Sequence, residues 1–339
     1  MSKKQLVLDA MNQKKVDRVP VGFWFHFVEG EEFNQGVERR DVIQKNIDGH
    51  RAFYENFQPD MIKLMSDGFF HYPNDVLIHA GTTSEIKQIN PLGKHHPWIE
   101  KQVELVKSLT DLFGAEVATF YNIFSPATFL KILLTDSGSN ITLADYFKED
   151  KFALQYALNV IAQDIADLAA RVISEGKADG IYLSVQNIQG IDLLASDYHE
   201  IVAPSDKKVL EAANQVSDYN ILHICGYEGA RNELSIYQNY NAKVINWAVN
   251  VEKVSLSEGK RLFGDRAVIG GFDNTPNGLL YRGSKEEIEA YTEQLLNESG
   301  TSGVILGADC TVPQDIDINR LIWVRDKAKE ISNQVFYKR

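Results

Sequence analysis

The 339-residue chain is poor in cysteine, with only two, at positions 225 and 310. Two thiols cannot build a disulfide framework for a chain this long, which argues against the cysteine-stapled secreted class. Long apolar runs are missing too. No stretch reaches the roughly 18 apolar residues that a bilayer-spanning helix requires, and the opening MSKKQLVLDAMNQKK lacks the apolar core of a secretory signal. Positive charge is scarce: 35 Lys and Arg stand against 47 Asp and Glu, a formal net charge of −12. Nucleic acid and anionic membranes repel such a surface, so neither is an expected partner. There is no proline- or glycine-rich linker and no low-complexity tract. The glycines of VIGGFDNTPNG (268–278) have the wrong spacing for a dinucleotide-binding fingerprint. What remains is a cytoplasmic globular protein, 44% hydrophobic, whose cysteines are thiols.

Short β-type runs alternate with longer segments of helical period, eight times. The strand candidates span 18–25, 59–65, 115–122, 179–185, 220–225, 242–249, 266–272 and 302–308. Most are nearly continuous apolar runs, as parallel strands buried on both faces require. Helix candidates lie between them at 148–176, 257–265 and 284–300. The last opens on a capping box from Ser284 to Glu287 and closes on Gly300. Eight strand–helix alternations without a linker predict an α/β fold, a closed (β/α)8 TIM barrel forming a single domain over 1–339. The largest insertions are expected after the second and third strands.

In such a barrel the chemistry sits at the C-terminal strand ends. Those ends carry Trp24 and His26; Ser66, Asp67 and His71; Tyr121 and Asn122; Gln186 and Asn187; His223 and Cys225; Asn246 and Trp247; Asp273 and Asn274; Asp309 and Cys310. His223 and Cys225 share a parity, so their side chains point to one face of their strand. Cys310 ends the eighth strand, and rim residues of strands five and eight can converge across a mouth only ~7–8 Å in backbone radius. A histidine and two cysteines so placed suit zinc, with a fourth position open to substrate. The alternative is that both cysteines are small buried hydrophobes and His223 an ordinary rim histidine. Spacing alone does not choose between them. Asp309 and Asp273 are candidates for a fourth ligand or for groups that orient the ligands. Trp24, Phe25, Phe27, Trp247 and Phe272 could wall a flat macrocycle, or serve as core packing.

VDRVPVGFW (16–24), HICG (223–226), VIGGFD (268–273) and LGADCTVP (306–313) together resemble the uroporphyrinogen decarboxylase superfamily, in order and spacing, over essentially the whole chain. The resemblance implies a single (β/α)8 barrel and one of two chemistries. One branch decarboxylates a tetrapyrrole in haem biosynthesis without a cofactor. The other comprises zinc-dependent methyltransferases that move a methyl group between a corrinoid protein and a thiol such as coenzyme M. The zinc motif of that second branch is His-x-Cys, then Cys about eighty residues on. His223, Cys225 and Cys310 match it, with 84 residues between the cysteines.

The resemblance to the decarboxylase branch is weaker. That branch carries an arginine-bearing MRQAGRY-like stretch after its first strand, where this chain reads WFHFVEGEE (24–32), with no arginine. A porphyrinogen bears eight carboxylates and needs a basic pocket. Asp67, in LMSDGFF, does match the acid that organises the pyrrole nitrogens in the decarboxylase, with Tyr121 near it.

The expected function is therefore a zinc-dependent methyltransferase: Zn2+ on His223, Cys225 and Cys310, a small-molecule thiol as substrate, and a corrinoid protein as partner. The alternatives are a decarboxylase built around Asp67, and a barrel that binds a corrinoid or tetrapyrrole without turning it over. Oligomeric state is left open, a homodimer included.

Overall fold

A computed structural model describes residues 1–138, 140–186 and 193–337. Seven parallel strands form one sheet in strictly sequential order: β1 Met61–Leu64, β2 Ala118–Phe124, β3 Gly180–Gln186, β4 Ile221–Cys225, β5 Val244–Trp247, β6 Ala267–Phe272 and β7 Val304–Ala308. Each lies within or beside an expected run. Their apolar residues are buried on both faces because helices cover the outside of the curled sheet while side chains fill its inside. Met61, Phe120, Tyr182, Ile221, Val244, Ala267, Ile269 and Ile305 make the inner core together with Trp24. The helix Lys3–Met11 adds Leu6, Val7, Ala10 and Met11 to that same core. It closes the end of the sheet where the strands begin, leaving the C-terminal strand ends as the working face.

Among the described residues, the closed eight-stranded ladder expected from the sequence is not formed. The run at 18–25 is reduced to one parallel bridge, Val21 to Leu306. Gly22 N donates to Leu306 O at 2.9 Å, and Leu306 N donates to Pro20 O at 2.9 Å. Pro20 has no N–H to extend the ladder. On the other side Asp60 Oδ2 takes the Val21 N–H at 2.9 Å, and Arg18 holds that carboxylate at 2.6 Å. Asp60 N also donates to Val21 O at 3.1 Å, so Asp60, ahead of β1, meets this segment in place of a continued ladder. The close approach to β7 needs Gly307, where a Cβ would sit 2.7 Å from the Gly22 carbonyl oxygen.

The longest crossovers follow β1 and β2, as expected, and carry the helices Pro97–Phe113, Pro126–Asp136 and Leu143–Ser174. The last starts earlier than the sequence pattern suggested, on a Thr142–Asp145 capping box, and kinks at Asp150. The helix Lys285–Ser299 has the expected box at Ser284 and Glu287 and ends on Gly300 in a left-handed conformation.

Candidate metal centre

Alternation along β4 puts Ile221 in the inner core, so His223 and Cys225 also face inward. Cys310 follows two residues after β7, on a segment still tied to the sheet by Asp309 N donating to Phe272 O at 2.7 Å. One ligand atom from each of His223, Cys225 and Cys310 lies within 4.8 Å of the others. The two sulfurs are 3.7 Å apart, far beyond a disulfide bond of about 2.05 Å.

The histidine is oriented by its neighbours. His223 Nδ1 hydrogen-bonds Asn246 Oδ1, the residue directly opposite it on β5. Asn246 Nδ2 donates to Ile269 O at 2.8 Å, which fixes the amide with its oxygen towards the imidazole. Tyr182 donates its hydroxyl to the same oxygen at 2.9 Å. Nδ1 is therefore the protonated nitrogen, and Nε2 carries the lone pair. That Nε2 is buried and has no hydrogen-bond partner. An unpartnered imidazole nitrogen grouped with two thiols fits a soft metal ion. The thiols share a proton: the hydrogen bond from Cys225 holds Cys310 well below the usual thiol range and raises Cys225 above it.

A four-residue turn, Val249–Glu252, grips both cysteine-bearing segments. Asn250 donates from its backbone N and its Nδ2 to Asp309 Oδ2, at 2.9 and 3.0 Å. Glu252 accepts from Asn232 N and Nδ2 at 2.9 and 3.0 Å, and Asn232 Nδ2 also donates to the Cys225 carbonyl at 3.0 Å. Lys63 of β1 also faces inward, buried among Trp24 and Tyr182. Sequence reasoning passed over it, although a lone lysine at the inward parity of an apolar strand was the available signal.

The other expected residues fall elsewhere. Asp67 is buried just after β1, and its carboxylate is engaged on both oxygens, by His26 Nδ1 at 2.8 Å and Phe27 N at 2.7 Å. Tyr121 points out of the sheet and donates to Gln102 Oε1 at 2.9 Å; burial pushes its phenol well above the usual range. Trp247 is also outward, its Nε1 donating to Val254 O at 2.9 Å and its ring filling the space where Gly259 has no Cβ. Trp24 is inward, its ring centroid 5.4 Å from that of Tyr182. Asp273 accepts from Thr275 N at 2.8 Å within its own loop. Asp309 holds Asn250 and is absent from the three-residue ligand group, and burial raises its carboxyl to about 7. Asn187 lies outside the described residues. A cavity of about 560 Å3 is lined among others by His26, Phe33 and Asn274, and by Thr311 and Val312, which follow Cys310 in the chain.

The sequence profile of the family described as uroporphyrinogen decarboxylase matches residues 73–331. The chain belongs to that family. Among curated relatives, the methylcobamide:CoM methyltransferase MtbA of Methanosarcina mazei is 22% identical over 198 residues, 58% of this chain and 54% of that protein. The match thus spans about half the length of that relative. A methyltransferase from Methanosarcina mazei shares the fold, with a TM-score of 0.69 at 17% identity over 99% of both chains. So does a B12-independent methionine synthase from Shewanella sp. W3-18-1, with a TM-score of 0.54 at 12% identity, covering 94% of this chain and 99% of that one. The expected resemblance to the methyltransferase side of the uroporphyrinogen decarboxylase family is thus met by the relatives themselves.

Proposed function

We propose that this member of the uroporphyrinogen decarboxylase family is a zinc-dependent methyltransferase. It would move a methyl group between a corrinoid carried by a partner protein and a small thiol, with residues 1–339 acting as one domain. The observation that carries the reading is the buried, unpartnered Nε2 of His223 grouped with two thiol sulfurs. Kinship with a methylcobamide:CoM methyltransferase supports the choice of reaction. Zinc held by His223, Cys225 and Cys310 would supply Lewis acidity, keeping an acceptor thiol ionised near neutral pH.

The chain's own residues do the rest. Asn246 and Tyr182 fix the imidazole tautomer so that Nε2 can donate its lone pair. The turn Val249–Glu252 holds the two cysteine segments at their separation. Cys225 is buried while Cys310 is partly exposed, which leaves the acceptor an approach to the sulfurs from solvent.

Protein purified without chelator should carry about one tightly bound zinc per chain. Cys225→Ala and Cys310→Ala should each lose most of that zinc while the circular dichroism spectrum is kept, because the barrel core does not depend on the metal. Zinc-loaded protein should also transfer methyl from methylcobalamin to 2-mercaptoethanol, followed by the corrinoid absorbance. A wild-type protein that cannot be loaded with zinc overturns the reading.

A further inference from the structure

Lys63 is the buried charged group that the proposed reaction leaves unused. It is 5% exposed, on the inner face of β1 between the apolar side chains of Met61 and Met65. Its Nζ lies 4.3 Å from the Tyr182 ring centroid and 5.2 Å from that of Trp24. Among the described residues nothing accepts a hydrogen bond from it. Desolvation by burial lowers its pKa to about 8, against a smaller raising influence from Cys310, Cys225 and Asp67, in that order. Asp67 already accepts hydrogen bonds from His26 and the Phe27 amide, which leaves the two sulfurs as the lysine's nearest unengaged counterparts. Tyr182 joins the two groups physically. One side of its ring meets Lys63, and its centroid is 5.8 Å from that of His223. These distances bound the ammonium to within about 10 Å of the imidazole, a range at which a charge in a partly screened interior still acts strongly.

A methionine at position 63 would fill the aromatic sandwich without desolvating a charge, so packing alone does not explain a lysine there. Charge does. Two cysteine thiolates already cancel a divalent cation, so an incoming thiolate makes the buried centre net negative in a protein that is itself acidic.

We propose that Lys63 is the positioning charge of this site, a fixed ammonium, held against Tyr182 within about 10 Å of the metal-binding histidine, that balances the extra negative charge of a bound acceptor thiolate. The inference rests on the methyltransferase reading above. On binding, the acceptor S–H gives its proton to solvent, and its sulfur takes a full negative charge opposite Lys63. When that sulfur takes up methyl, the corrinoid cobalt keeps the electron pair of the broken bond. The sulfur becomes a neutral thioether and the attraction is lost, so Lys63 favours substrate over product.

The test uses zinc-loaded full-length protein, with 2-mercaptoethanol as the probe in titration calorimetry. K63M and K63Q should keep the wild-type zinc content and spectrum. Near pH 7 both should bind the thiol about tenfold or more weakly, the order of effect expected from one charge at this range. The deficit should shrink as the pH is raised and wild-type Lys63 loses its own proton; a packing defect would persist. Binding by K63M within twofold of wild type near pH 7 overturns the inference while leaving the zinc reading intact. Loss of zinc in both variants also overturns it, since removing a cation should not weaken a cation site. Wild-type protein that takes up neither zinc nor thiol overturns the underlying reading, and this inference with it.

Discussion

Lys63 carries a consequence that can be measured without metal or substrate. Its folded-state pKa of about 8 lies below the ordinary lysine value of 10.5. Below pH 8 the amine is charged in both folded and unfolded chains, and the folded state bears the full desolvation cost. Between about 8 and 10.5 the unfolded chain binds the extra proton, so this residue's contribution becomes more favourable as pH rises. Removing the charge should therefore stabilise metal-free protein near pH 7, by on the order of 3 kcal/mol for a shift of this size. Urea denaturation of K63M beside wild type, in chelator, should show that gain near pH 7 and a much smaller gap above pH 10. Equal stabilities at neutral pH would mean that the amine is not desolvated. At this scale the sequence was partly legible. His223 and Cys225 could be paired by parity alone, because a strand repeats every two residues. Tyr121 and Trp247 were placed at the rim because they end apolar runs. Which face each takes depends on the register, and Asn122 and Asn246 face inward where these two neighbours face out. Lys63 and Asn246 acquire their roles only from cross-strand neighbours far away in sequence.

At the scale of elements, the turn Val249–Glu252 is too short to be stable by itself and owes its place to what it binds. It joins the loop after β4 to the loop after β7 through Asn250–Asp309 and Glu252–Asn232–Cys225. Partners that orient metal ligands typically change affinity by about 10- to 100-fold when lost. Asn250→Ala should weaken zinc binding by that order, measured by competition with a chromophoric chelator. Asn250→Asp should weaken it further, because its carboxylate would face Asp309. Wild-type affinity in both variants would show that the turn does not set the separation of the sulfurs. This clamp was invisible beforehand, since its residues are polar, short-range in type and long-range in partner. The strands and the capping boxes at Ser284 and Thr142 are local chemistry, and the first of these was read directly from sequence. The missing eighth ladder was legible in principle. Pro20 sits within the run, and Asp60 is a carboxylate placed just where β1 would begin to pair.

The whole molecule bears on the family's other chemistry. Its net charge is −12, and the segment 24–32 at the working face contains Glu29, Glu31 and Glu32 but no arginine. Glu32 is tied to Lys45, an ion pair within the surface rather than a receptor for a ligand's carboxylates. Asp67, the residue that resembles the decarboxylase acid, already accepts from His26 and from the Phe27 amide. Further N–H groups could reach only the lone pairs left beside those partners, held at 2.8 and 2.7 Å. A porphyrinogen with eight carboxylates would thus meet an acidic rim and an acid already engaged on both oxygens. Charged hydrogen bonds contribute about 1.5–3 kcal/mol each, so losing even two arginine contacts lowers turnover by about a hundredfold or more. Incubated with uroporphyrinogen beside a true decarboxylase, the protein should form coproporphyrinogen at no more than about a hundredth of that enzyme's rate. Asp67→Asn should not change whatever background remains. Turnover comparable to the decarboxylase, abolished in Asp67→Asn, would move the chemistry from the sulfurs to Asp67. The cluster of His223, Cys225 and Cys310 would then need another purpose.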